Sequence, residues 1–224
     1  GFVSDKYAKN KVIRICAWVA FVITLLITFG YYQGWFWFSF GMTFLLALQS
    51  AFYSPAKYGY VKGLVGDRRL AQTNGLLQAA TTTGILLGTF FFSVLFEKMI
   101  VGFEITDKNS LIALIAPLGW ALIALTFVEL VLAYRLPNTE NDNPKMRFHW
   151  DDYFRGKTQA RNLRLVKRHP YIWLSILGLS VFWAISQVLL ATYPAYAKEF
   201  LGLNNTAVIQ GLMAFAGIGV MIGS

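Results

Sequence analysis

The chain has 224 residues, of which 56% are hydrophobic, 17% are aromatic and only 14% are charged, with a formal net charge of +9. A soluble domain normally has about 25% charged residues, so this composition argues against a soluble protein. The single cysteine, Cys16, excludes a disulfide within the chain and is best explained as a small buried apolar residue.

Six long apolar stretches alternate with short charged segments. They cover residues 15–32, 35–56, 75–96, 111–134, 171–197 and 207–224. Each is close to the roughly 20 residues that a helix needs to cross the hydrocarbon core. The runs are continuous and lack the two-residue alternation of a membrane barrel, so they predict helices. The expected fold is therefore an all-α, polytopic membrane protein.

The basic residues are distributed unevenly between the predicted loops. Segments 1–14, 57–73 and 135–170 hold four, four and nine Lys or Arg residues, which together are 17 of the 20 in the chain. Alternate loops fall on one side of the membrane, and the positive-inside rule makes this basic side cytoplasmic. We therefore expect a multi-pass protein of the bacterial inner membrane. The high charge orients helices near anionic lipid and does not indicate nucleic-acid binding.

The first predicted element is the loop at residues 1–14, which opens with G-F-V-S-D-K-Y-A-K-N-K. This opening resembles the loop signature between the second and third helices of the major facilitator superfamily, G-x-x-x-D-[RK]-x-G-[RK]-x-[RK]. Ala8 departs from the pattern, where the family usually has glycine. The resemblance implies that Asp5, with Lys6 and Lys9, forms a latch that holds one conformation of a transporter.

This resemblance also fixes the register of the spans. If the opening loop follows helix 2, the six stretches are helices 3–8 of twelve, and the full protein is about twice as long. The longest basic loop then follows helix 6, where the superfamily joins its two halves. The resulting division is an N-terminal transporter half at 1–134, a cytoplasmic linker at 135–170, and the start of the C-terminal half at 171–224.

The second stretch, 35–56, ends in the segment F-Y-S-P-A-K-Y-G at residues 52–59, and Q-T-N-G-L follows at 72–76. This region resembles helices 4 and 5 of the lysophospholipid transporter family. Pro55 is expected to end or kink the helix, and Thr73 or Asn74 to cap the next one. Lys57 is predicted to contact a phosphate of the substrate headgroup. An ordinary lysine that reaches bilayer phosphates explains the same residue equally well.

Several side chains are candidates for a transport cavity. Helices 4 and 7 line the cavity in the superfamily, and their polar or aromatic candidates here are Gln49 on helix 4 and Trp183 and Gln187 on helix 7. Gln78 on helix 5 is a further candidate. A mainly apolar face with one amide suits an acyl chain and a headgroup. The alternative is that each glutamine bonds a backbone carbonyl or a neighbouring helix.

Glu129 is the one ionisable residue well inside a predicted span, and it is therefore a functional candidate. Pairing with Arg135 at the nearby helix end is the competing interpretation. Residues 147–168 mix apolar and basic side chains. This pattern fits either an amphipathic helix on the cytoplasmic leaflet or a helix that braces the two halves.

The sequence favours a secondary transporter that moves lysophospholipids across the inner membrane for reacylation. Two alternatives stay open: proton-coupled efflux of drugs or metabolites, and the membrane region of a bifunctional lipid acyltransferase. We expect no enzyme activity in this chain, because neither His149 nor His169 is followed by aspartate at the acyltransferase spacing H-x-x-x-x-D. No cofactor, metal or catalytic residue is predicted. The expected partners are membrane lipids, the lysophospholipid substrate and a fused or associated acyltransferase.

Overall fold

The computed structural model describes residues 6–103, 107–138, 157–203 and 205–223. Its regular secondary structure within these ranges is helical, which confirms the predicted all-α class. The helices are α1 Lys9–Tyr32, α2 Phe36–Ile100, α3 Lys108–Leu114, α4 Leu118–Arg135, α5 Lys157–Lys167, α6 Pro170–Glu199 and α7 Thr206–Gly223. Helices α1, α2, α4 and α6 are long and apolar enough to cross a membrane.

Helix α2 consists of two arms that meet at Gly66, whose backbone has φ 66° and ψ 178°. Only glycine adopts such angles without strain, so the first arm (36–65) ends here and the second arm (67–100) begins. The Nζ of Lys57 lies 3.2 Å from the Oγ1 of Thr81. A straight helix would separate residues 24 positions apart by about 36 Å, so the arms fold back on each other.

These arms correct two local predictions. Pro55 lies inside the first arm, and the helix continues for ten further residues to position 65. Asn74 lies inside the second arm and therefore does not cap its start. Because proline lacks an N–H, Pro55 leaves the carbonyl of Ala51 without its usual helical partner, a cost that membrane helices tolerate.

A buried core joins α1, the first arm of α2 and α4. Its members are Val12, Ile13, Cys16, Ala17, Ala56, Tyr60, Leu130 and Ala133. Ala17 and Ala56 are only 1% and 0% exposed, so small side chains let the helix backbones approach closely. Cys16 is buried in this core, as its predicted structural role requires.

Hydrogen bonds at the two ends of this helix group show that α1 and α4 run in opposite directions. At one end, the Nε1 of Trp120 at the start of α4 donates to the hydroxyl of Tyr32 at the end of α1, at 2.9 Å. At the other end, the Nε1 of Trp18 donates to the hydroxyl of Tyr134 at 3.0 Å. Helices α1 and α4 are therefore antiparallel, as the predicted alternation of spans requires.

The chain forms two compact units. The first contains residues 1–145 with 210–224, and the second contains residues 146–209. The first unit holds α1 to α4 and most of α7, whereas the second holds α5 and α6. The predicted division into 1–134, 135–170 and 171–224 stays a prediction.

Candidate functional site

Lys57 lies in a polar cluster between the two arms of α2. Its half-buried side chain donates to the Oγ1 of Thr81, which in turn donates to the carbonyl of Leu77 at 2.7 Å. The ammonium also lies 5.7 Å from the ring centroid of Tyr58, in the range of a cation–π contact. Lys57 therefore lies between the two arms, and among the described residues only Thr81 accepts a hydrogen bond from its ammonium group.

Two amides lie on the same face of the second arm as Thr81. Asn74, Gln78 and Thr81 follow each other at spacings of four and three residues, which places them side by side on a helix. The Oδ1 of Asn74 is buried and has no hydrogen-bond partner among the described residues. Gln78 is half-buried. Gln78 and Asn74 therefore share a helix face with Thr81, the residue that Lys57 bonds, and the sequence interpretation had assigned Asn74 to a cap.

This cluster has the chemistry of a polar headgroup site. Lys57 supplies a cation, the two amides supply both donors and acceptors, and Thr81 supplies a hydroxyl. A phosphate needs donors and a positive charge, whereas an ammonium group needs an acceptor such as Asn74 Oδ1. This combination of groups is the one that the predicted contact with a headgroup phosphate would require.

The two sequence segments with family resemblance contact each other. Lys9 from the opening loop signature is 9% exposed, and its side chain crosses Gly59 of the S-P-A-K-Y-G segment. A Cβ at position 59 would lie 2.7 Å from the Cε of Lys9, so a larger residue there would displace the end of the lysine side chain. Lys6 lies 5.4 Å from the ring centroid of Tyr7. Asp5, the predicted centre of the latch, lies outside the described residues.

A group of polar side chains near the start of α1 holds the end of α4 and the residues after it. Arg14 donates to the carbonyls of Ala133, Tyr134 and Leu136 at 3.2, 3.3 and 3.1 Å. The sequence interpretation missed this group, because its members are 119 to 122 positions apart and only the fold brings them together.

Two further bonds extend the same group. The Nδ2 of Asn10, which is 1% exposed, donates to the Oδ1 of Asn138 at 2.7 Å. The hydroxyl of Tyr60 donates to the carbonyl of Pro137 at 3.2 Å. The chain that leaves α4 is therefore bound to both α1 and the first arm of α2.

Gln49 lies in a different place from the Lys57 cluster. Its Nε2 donates to the backbone carbonyl of Cys16 at 2.9 Å, which joins the first arm of α2 to α1. It also lines an apolar groove of about 620 Å³ between these two helices, together with Leu45 and Phe52. This bond matches the alternative interpretation of Gln49 as a helix-packing residue, while a role in the substrate route stays a prediction.

Glu129 is half-buried on α4, and its carboxylate is near enough to interact electrostatically with the side chains of Cys16 and Tyr53. Arg135 is also described, but no ion pair within 4.0 Å joins it to Glu129. The proposed Glu129–Arg135 pairing is therefore not formed. Glu129 faces the helix core, where an acid is costly and usually serves a function.

Trp183 and Gln187 lie four residues apart on α6 in the second unit and share one face of that helix. Trp183 is 42% exposed, and its ring packs edge-on against Phe182 at 5.8 Å between centroids. Gln187 is exposed. The face combines an aromatic ring with one amide, as predicted for a surface that contacts an acyl chain.

Comparisons with known proteins agree with these features. The family model of the Major Facilitator Superfamily matches residues 1–224. Two curated relatives are named "Lysophospholipid transporter LplT", one from Serratia proteamaculans and one from Escherichia coli O1:K1 / APEC. Each is 26% identical over 227 aligned residues, which include the whole of this chain and 50% or 51% of the relative. The chain thus spans about half the length of the curated relatives it matches, and no solved structure gives a significant match.

Proposed function

Because this chain belongs to the Major Facilitator Superfamily, we propose that it forms part of a transporter that moves lysophospholipids across the bacterial inner membrane for reacylation. The long apolar helices make it a multi-pass membrane protein. The names of the relatives support a lysophospholipid as the substrate. The proposal places the basic loops in the cytoplasm, following the positive-inside rule.

The observation that carries this proposal is the Lys57 cluster. A half-buried lysine that Thr81 holds between the two arms at the end of a span is well placed to pair with a negative charge at the headgroup level. A lysophospholipid carries one phosphate, which would accept bonds from Lys57 and from Gln78. The unpartnered Oδ1 of Asn74 would accept from the ammonium of an ethanolamine headgroup.

The single acyl chain of the substrate needs an apolar route. We assign Trp183 and Gln187 on α6 to this route, and Gln49 to the groove on α2. Aromatic and aliphatic side chains bury the chain, while the amides provide weak polar contacts that do not trap it. Asp5, Lys6 and Lys9 keep the role of a conformational latch in this proposal.

The test measures uptake of labelled lysophosphatidylethanolamine by cells that lack their own lysolipid transporter and express the full-length protein. Lys57→Met should reduce uptake by about tenfold or more, because a charge-assisted hydrogen bond contributes about 1.5–3 kcal/mol. Lys57→Arg should retain a measurable part of the uptake. Gln187→Leu should also reduce uptake if the acyl chain passes α6.

The matched control is Lys62→Met, which removes the same charge from the same arm. Lys62 is exposed and forms an ion pair with Asp67 at 3.2 Å, so its loss should leave uptake nearly unchanged. Equal losses in the two variants would contradict the role of Lys57 in substrate binding. A well-expressed parent protein without uptake would overturn the lysophospholipid assignment itself.

One observation favours the second candidate, proton-coupled efflux. Glu129 is a half-buried acid with no cation within 4.0 Å among the described residues, as a proton-carrying group would be. Collapse of the proton gradient with an ionophore separates the two functions. Lysophospholipid uptake that survives both the ionophore and Glu129→Gln supports lysophospholipid transport. Drug efflux that is lost under both conditions supports proton-coupled efflux.

A further inference from the structure

Helix α5 carries a narrow basic stripe just before a membrane-spanning helix. Arg161, Arg164 and Arg168 follow each other at spacings of three and four residues, so they lie within about 60° of one another around the helix. Arg168 stays in this register, because its backbone N–H donates to the carbonyl of Arg164 at 3.3 Å. All three side chains are exposed.

The charge of this stripe is one-sided within its own helix and the span that follows. The sequence from 157 to 197 contains five Lys or Arg residues and no Asp or Glu. Such a one-sided charge attracts an anionic surface within the Debye length, which is about 8 Å at physiological salt. An extended anionic surface matches the two helical turns of the stripe better than a single carboxylate does.

Two apolar residues lie on the side of α5 away from the stripe, next to the polar Asn162. Leu163 and Val166 lie roughly across the helix from the stripe, and Leu163 is 49% exposed. An exposed leucine opposite a row of cations is the pattern of a helix that lies in the plane of a membrane interface. An RNA would bind the cations but would not cover the leucine.

The connection to α6 places α5 at the membrane surface. Only Arg168 and His169 separate α5 from Pro170, the first residue of α6. The Nζ of Lys167 lies 5.3 Å from the ring centroid of Trp173, and tryptophans at the ends of spans mark the headgroup level. Because α5 ends two residues before this span, its last turn, with Arg164 and Lys167, is held at the level of the interface.

We infer that α5 is an interfacial helix that binds anionic phospholipids of the cytoplasmic leaflet through Arg161, Arg164 and Arg168. The lipids are structural partners here and not the transported substrate. The inference depends on the stripe, the leucine and the neighbouring span, and it does not depend on the proposed transport activity.

The test uses the full-length protein in nanodiscs, with an environment-sensitive fluorophore attached to Leu163→Cys and with the native cysteine replaced. One nanodisc contains phosphatidylcholine alone, and the other contains phosphatidylglycerol as well. Lipids with a spin label on the acyl chain quench the probe if α5 lies at the membrane. We expect stronger quenching with phosphatidylglycerol, and we expect high salt to weaken it.

The decisive variant is the triple substitution Arg161→Gln, Arg164→Gln and Arg168→Gln. Each cation near an anionic membrane contributes about fivefold to the ratio of bound to detached helix, so the triple variant should lower this ratio by on the order of a hundredfold. The corresponding Arg→Lys variant should still bind, which shows that charge is required and that the helix still folds.

The matched control is the triple variant Lys98→Gln, Lys108→Gln and Lys198→Gln, which changes the net charge equally but leaves α5 intact. Its quenching should equal that of the parent protein. Quenching that is the same in both nanodiscs, or that the Arg→Gln variant leaves unchanged, would overturn the inference. A parent protein that shows the expected quenching but takes up no lysolipid would contradict only the proposed transport function. It would leave the inference about α5 intact.

Discussion

Removal of Arg14 should weaken the contacts between the start of α1 and the end of α4. Helix α4 ends at Arg135, so its last carbonyls have no partner within the helix. Arg14 bonds three carbonyls in this region, those of Ala133, Tyr134 and Leu136, at 3.1–3.3 Å. Its guanidinium carbon also lies 5.3 Å from the ring centroid of Tyr134. A positive charge at a helix C-terminus is stabilising in addition to these bonds.

The size of the effect follows from these contacts. A charge–dipole contact of this kind contributes about 0.3–2 kcal/mol, and a cation–π contact contributes about 0.5–1 kcal/mol. The hydrogen bonds are long and the side chain is only half-buried, so we expect Arg14→Gln to lower the free energy of unfolding by about 2 kcal/mol. For a full-length protein about twice as long as this chain, this corresponds to a Tm decrease of roughly 2–3 °C.

The assay is the thermal unfolding of the full-length protein in detergent, followed by size exclusion. Arg135→Gln is the matched control, because it removes the same charge from the same helix end. Arg135 is exposed and makes no hydrogen bond or ion pair with the described residues. The Arg135→Gln variant should therefore have nearly the same Tm as the parent protein. Equal Tm decreases in the two variants would refute the reasoning, since they would show that charge alone matters.

Two further predictions concern local packing and pH. A Cβ at Gly119 would lie 2.5 Å from the Oγ1 of Thr28, so Gly119→Ala should destabilise the protein by about 1–3 kcal/mol. The matched control is Gly84→Ala, because a Cβ there meets nothing within 4 Å. This control should be neutral or stabilising in the same thermal assay. Hydrogen bonds from Ser110 lower the pKa of the Asp107 carboxyl, which caps the start of α3. The stability that this cap gives to α3 is therefore complete above the ordinary carboxyl pKa. It is lost as the pH falls through the lowered pKa. Hydrogen exchange of the 107–114 segment, corrected for intrinsic rates, should show this loss in acid, and Asp107→Ala should remove the pH dependence.

The number and limits of the spans follow largely from hydropathy. The predicted stretch 15–32 lies inside α1, and the stretch 171–197 lies inside α6. The error lies between 57 and 74, where the charged sequence predicted a loop and the structure has helix on both sides of Gly66. Charged residues do not oppose a helix outside the hydrocarbon core. Hydropathy therefore marks where a helix leaves the membrane, and it does not mark where the helix ends.

Contacts between distant residues are less accessible from one sequence. Arg14 is recognisable as a basic residue near a span, but nothing in the sequence shows that it bonds carbonyls more than a hundred positions away. The same holds for Asn74, whose position before a glycine is typical of a cap. Its role depends on the fold of α2, which places it four residues from Gln78 on a continuous helix.

The contact between Lys9 and Gly59 relates the two resemblances to each other. Each segment is informative separately, one for the superfamily and one for the lysophospholipid transporters, and the fold makes them a single structural unit. Gly59 is two residues from Lys57, and the side chain of Lys9 crosses the position that a Cβ would occupy. Lys9, a residue of the proposed latch, is thus adjacent to the backbone that carries Lys57. A larger side chain at position 59 should therefore displace Lys9 before it affects Lys57, and this order separates the two proposed roles by mutation.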